Sequence, residues 1–134
     1  MKNIFIVFLF ISIQALSQEI SKEKMFGTWK VKKNMTPKSD PKLDDLINGF
    51  NDASFIFSKN GNFVLQSPFT SKIFLMTLNM LKNAQWKLDL NRQMIRLGNQ
   101  KDYFSIMGII VQEREGKIFF LINETPIELE MIQN

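Results

Sequence analysis

The sequence predicts a mainly β domain: about eight short antiparallel strands running up and down and closing into a barrel, with two short helical inserts, one after the first strand and one after the third. Three observations carry this expectation. Apolar and polar residues alternate at period two in a series of short runs, the mark of strands with one face buried. Short turns rich in Asn, Gly and charged residues separate these runs, so that neighbours in sequence are expected to pair. Helical spacing appears in only two places, both before residue 84. An antiparallel sheet of about eight strands with one apolar face removes its exposed edges by closing on itself.

The first strand is the alternating run Gly27-Thr28-Trp29-Lys30-Val31-Lys32-Lys33. Ser39-Asp40-Pro41 then supplies a side-chain cap followed by proline in a first helical turn, and Leu43, Leu46, Ile47 and Phe50 fall at i, i+3, i+4 and i+7, a short amphipathic helix ending near Gly49. Two β-prone runs, Phe55-Ile56-Phe57 and Phe63-Val64-Leu65, flank Asn60-Gly61, a pair that tolerates the positive φ angles of a tight hairpin. From Ser67-Pro68 to Asn83 the spacing changes again. Ile73, Phe74, Leu75, Met76, Leu78, Met80 and Leu81 are too crowded for a half-buried strand and predict a second helix of about a dozen residues, apolar on most of its circumference. Gln85-Trp86-Lys87-Leu88-Asp89-Leu90 and Met94-Ile95-Arg96-Leu97 form a further hairpin around Asn91-Arg92. A run from Tyr103 to Glu113, a turn at Glu115-Gly116, the strand Lys117 to Ile122 and a last strand Ile127 to Met131 complete the meander.

Ahead of this domain, Lys2, the apolar run Ile4 to Ile11 and the small-residue exit Ala15-Leu16-Ser17 have the three parts of a cleavable export signal, with cleavage expected after Ser17. The apolar run is far shorter than the ~20 residues that span a bilayer, and no cysteine follows it to accept a lipid. Removing the first 17 of 134 residues leaves 117, one domain at 18–134, destined for the periplasm or the outside of the cell. The only charge lost is Lys2, so the formal charge falls from +4 to +3. The lysines at 30, 32 and 33 alternate with Trp29 and Val31 as the outer face of a strand does, and no nucleic-acid partner is expected.

The chain contains no His and no Cys. Histidine-based triads and soft-metal sites therefore lack their residues, and no disulfide supports the fold. The acids Asp44 and Asp45 belong to the polar side of the first helix, and Glu128 and Glu130 to the polar face of the last strand, so both pairs read as solvated surface rather than as catalytic carboxylates. The expectation is a protein that is not an enzyme and carries no metal or cofactor.

Gly27-x-Trp29 early in the chain, then Phe55-x-Phe57, Asn60-Gly61-x-Phe63, Trp86-Lys87-Leu88, Ile95-x-Leu97 and Tyr103-x-x-Ile106 in that order resemble the lipocalin-like domain proteins exported by Bacteroidetes-type bacteria, over residues 25–132. The resemblance implies a barrel whose closed end is plugged by Trp29. It also implies binding of a small apolar ligand inside, with candidate lining residues Trp29, Phe55, Phe57, Phe63, Trp86, Leu88, Tyr103 and Phe120; the crowded apolar helix Ile73 to Leu81 is itself the candidate lid, with Phe74, Met76 and Leu78 on it.

Two functions stay open. In one, the domain carries a small apolar ligand inside the barrel. In the other, the barrel is solid and the apolar helix Ile73 to Leu81 docks onto an envelope protein or a membrane surface. The second helix is accordingly a lid, a permanent plug or a docking surface. Export itself is checked by N-terminal sequencing of protein recovered outside the cytoplasm, which should begin at Gln18; a start at Met1 would refute the cleavage.

Overall fold

The computed structural model of the chain describes residues 20–134, apart from Ser39 and Thr70. The expected export signal lies outside the described residues. Eight antiparallel strands follow one another: β1 Gly27–Asn34, β2 Ser54–Phe57, β3 Phe63–Gln66, β4 Gln85–Asp89, β5 Met94–Gly98, β6 Met107–Arg114, β7 Lys117–Ile122 and β8 Glu128–Gln133. Their order around the sheet is β3-β2-β1-β8-β7-β6-β5-β4, so the last strand pairs with the first and the up-and-down ring is complete except between β3 and β4. These two meet only at their starts, through an isolated bridge between Asn62 and Gln85. There Phe63 N–H donates to Ala84 O at 3.0 Å and Trp86 N–H to Gly61 O at 2.9 Å. The result is the nearly closed barrel that the alternation predicts.

Period two decides which side chains go inside. Trp29 and Val31 of β1, Phe55 and Phe57 of β2, Phe63 and Leu65 of β3, Trp86 of β4, Ile95 and Leu97 of β5, Ile109 and Val111 of β6, Phe120 and Ile122 of β7, and Leu129 and Met131 of β8 are all buried in one core. A register shift between Val31 and Lys33 breaks the alternation in β1 and leaves Lys32 and Lys33 both outside.

Helices close the two ends. At the end where β1 begins, a single turn α1, Lys22–Met25, is capped by Ser21 and buries Met25, and Trp29 Nε1 donates to Met25 O at 3.1 Å. Gln133 Nε2 ties the same turn down through Lys24 O and Phe26 O, both at 3.0 Å. Sequence patterning misses α1 because one turn of mostly charged residues has no period to read. At the other end lie α2, Asp44–Gly49, preceded by a 3-10 turn Pro41–Leu43 that Asp40 caps, and α3, Lys72–Met80, capped by Ser71.

Three expectations are corrected. The second helix has nine residues rather than about a dozen. Strand β6 starts at Met107, not Tyr103, because Asp102 folds residues 99–105 into a turn by accepting from the N–H groups of Asn99 and Phe104 at 2.9 and 3.0 Å. Glu130 is not a solvated strand residue: it is 8% exposed and paired with Lys32 Nζ at 3.5 Å.

Phe57 is wholly buried between the rings of Phe63, Trp86 and Phe120, at centroid distances of 5.2, 5.3 and 6.2 Å. Phe57→Ala should therefore cost about 3–5 kcal/mol, measured by urea unfolding, whereas Phe69→Ala on the surface should change stability by under about 0.5 kcal/mol.

Candidate functional site

The barrel interior is occupied by its own aromatic side chains. Phe120 stands at the centre, with ring centroids 5.5 Å from Trp29 and 5.5 Å from Phe55, the latter edge to face. The series continues through Phe55 and Phe50 at 6.1 Å to Phe74 of α3 at 5.1 Å, again edge to face. Rings thus run along the axis from the turn α1 to the helix α3, in the offset and T-shaped arrangements that aromatic quadrupoles favour. The candidate lining residues Trp29, Phe55, Phe57, Phe63, Trp86 and Phe120 are brought together as expected, but they pack on one another instead of surrounding a space. Leu78 and Leu88 are half-buried against the same cluster.

Two candidates are elsewhere. Tyr103 is 85% exposed on the turn after β5, and Met76 is 59% exposed on the outer side of α3. Tyr103 fails as a lining residue because the strand it was assigned to begins four residues later. Met76 fails because a helix capping a solid core buries only one side, here Phe74 with Leu81 just beyond its end.

The seat of α3 is specific. Phe74 lies on Gly49 at the end of α2, where an added Cβ would stand 2.1 Å from Phe74 Cδ2. Ser67 Oγ donates to Gly49 O at 2.6 Å, and Ser71 Oγ to Asp45 O at 3.4 Å, so both helices are fixed to each other as well as to the barrel. Beside this seat is an apolar cavity of about 130 Å3, lined by Leu46 and Phe50 from α2, Thr77, Met80 and Leu81 from α3, and Ile106, Met107, Ile122, Thr125 and Ile127 from the barrel rim. Leu46 and Phe50 are in the helical stripe read from the sequence. That they meet Ile106 and Ile127 follows from the meander's return and has no local signal.

The outer side of α3 is also apolar. Ile73, Leu75, Met76 and Met80 are 42, 43, 59 and 59% exposed, and Phe69 precedes them at 40%. Among the described residues, five of the ten large exposed hydrophobic side chains therefore fall within 69–80. Ile73, Met76 and Met80 share one side of the helix, at i, i+3 and i+7.

Among the described residues, no group of three or more Asp, Glu, His or Cys is placed to hold a metal ion, and no helix is long and apolar enough to cross a membrane. Comparison with family models, curated proteins and solved structures finds no match to this chain.

Gly49→Ala tests the seat. Its Cβ should push Phe74 outward, cost about 1–3 kcal/mol in overall stability, and raise amide hydrogen exchange in α3 more than in β6 to β8.

Proposed function

We propose that this domain is an exported, non-enzymatic interaction module: a solid barrel that presents the outer face of α3 to an apolar segment of a partner protein at the cell envelope. The observation that carries the reading is the concentration of exposed apolar side chains at residues 69–80 on a helix whose other face is locked into the barrel. An exposed apolar patch on a rigid support marks an interaction site. Methionine suits it, because an unbranched side chain with three rotatable bonds adapts to a partner's contours. The cavity of about 130 Å3 beside Met80 has room for one apolar anchor side chain from that partner, the arrangement in which a few buried anchors supply most of an interface's binding energy. The export signal read at residues 1–17 supports an envelope partner, and the order of motifs resembling the lipocalin-like exported proteins agrees with a barrel that acts by binding.

The same cavity favours one second reading, a small apolar ligand held at the rim rather than inside. Small-molecule sites run to about 300–1,000 Å3, so 130 Å3 takes only the end of an alkyl chain. Titration of the mature protein with a fluorescent fatty acid separates the two: the docking reading expects no saturable uptake at micromolar concentration, and saturation would replace it with the ligand reading.

The direct test places a photocrosslinking amino acid at Met76 or Met80 in cells that make the protein, with Ile132 on the opposite end of the barrel as control. A discrete polypeptide adduct should form from positions 76 and 80, not from 132, and should vanish when Ile73→Lys is added. That substitution, at an exposed position, should change stability by under about 0.5 kcal/mol. Equal adducts from all three positions, or none, would reject a specific docking face.

A further inference from the structure

A broad groove lies away from α3, on the outer face of β4 and β5. It has a volume of about 480 Å3 and is lined by residues Lys87 to Arg92, Arg96, Tyr103 and Phe104. A second groove of about 240 Å3 shares Arg92, Arg96 and Phe104 with it and continues over β6 to Asn123 and Glu124. Together they form an elongated, open channel with two arginines at its middle.

The charges in the first part do not balance. Asp89 Oδ2 accepts from Arg96 Nε at 3.2 Å and lies 3.9 Å from Arg92 Nε, so one carboxylate holds two guanidinium groups. Lys87, paired across the strands with Arg96, adds a third cation. Glu124, the other acid in the channel, lies at its far end. Both arginines meet Asp89 through Nε, and among the described residues no other carboxylate is within ion-pair distance of either. Their terminal N–H groups are available to an oxyanion in the fork geometry that suits carboxylates and sulfates.

A flat ring stands at the rim of this cationic floor. Tyr103 is 85% exposed, although tyrosine usually packs its ring. Tyr103 and Phe104 both have φ of +56°, a left-handed conformation that bulky residues rarely adopt singly, let alone in succession. Gly98 makes room for this turn, since a Cβ there would meet Asp102 Oδ1 at 2.4 Å and the Phe104 backbone at 2.9 Å. Lys87 Nζ lies 5.9 Å from the Phe104 ring centroid, over the turn. Strain of this kind persists only where surrounding structure enforces it. Here it turns the Tyr103 ring out beside the arginines instead of into the core.

We propose that this groove binds an acidic saccharide, with Arg92 and Arg96 holding its carboxylate or sulfate and Tyr103 covering the apolar face of a sugar ring. An open channel with a charged floor and a single aromatic wall fits a hydrated chain that exchanges some of its water. A single-stranded nucleic acid would call for a longer basic groove with a series of stacking rings, and an apolar ligand would gain nothing from three cations.

Calorimetric titration of the mature protein at low salt tests this with trigalacturonic acid, a heparin tetrasaccharide, maltotriose and sodium sulfate. At least one acidic oligosaccharide should saturate: trigalacturonate alone assigns a carboxylate, the heparin fragment alone a sulfate, and both together a site for either. Arg96→Gln and Arg92→Gln should each weaken binding about tenfold, the equivalent of one charge-assisted hydrogen bond. Tyr103→Ala, a surface change that leaves the charges intact, should weaken it several-fold, and Lys59→Gln on the β2–β3 turn should have no effect. The proposal is overturned if neither acidic probe saturates, if maltotriose or sulfate binds as tightly, or if Lys59→Gln weakens binding as much as the arginine variants. Failure here leaves the docking role of α3 untouched, because no residue of α3 lines this channel.

Discussion

Closing a ring of eight short strands leaves an interior that the chain must fill with its own side chains or leave for something else, and without a disulfide this protein has no covalent support for an empty one. It fills the space with rings. Phe120 joins Trp29, Phe55 and Phe57, and Phe50 and Phe74 extend the stack to the helical end. Each ring contributes apolar burial together with an oriented aromatic contact of about 0.5–1.5 kcal/mol, and other features of the domain follow from that filling. The seam between β3 and β4 can be left nearly unbonded because the core behind it is continuous. Helix α3 is seated on the end of that stack through Phe74, with Leu81 buried beside it. The proposed binding surfaces lie on the outside because the inside is taken.

Gly49 links the core to the surface. Without a side chain at that position Phe74 lies directly on the α2 backbone, which fixes the rotation of α3 about its axis. Phe74 and Leu81 then face inward, while Ile73, Met76 and Met80 face out. A helix that looks uniformly apolar in sequence is thus divided into a plug and a face, and the lid and docking ideas become two sides of one element. The two proposed binding surfaces differ in chemistry for the same reason. The helix face is apolar because α3 covers an apolar opening, and the β4–β5 groove is cationic because it is the polar alternate of strands whose other residues are Trp86, Leu88, Ile95 and Leu97.

The amino-acid sequence alone determined the elements that depend on local spacing and turn chemistry. The eight strand runs, the Asn60-Gly61 hairpin, the Asp40-Pro41 helix start and the polar and apolar side of nearly every strand are legible because side-chain period and backbone preference act within a few residues. Its lack of histidine and cysteine also bounds the chemistry available. Only the tertiary structure decided whether the aromatic residues enclose a cavity or fill it, since that depends on contacts such as Phe55 with Phe120, far apart in the chain. It likewise decided which side of α3 is buried, through Gly49 and Phe74, and that Tyr103 leaves the strand pattern, through Gly98 and Asp102. Volume, rotation and steric clearance are properties of surfaces brought together from distant positions, and no local period encodes them.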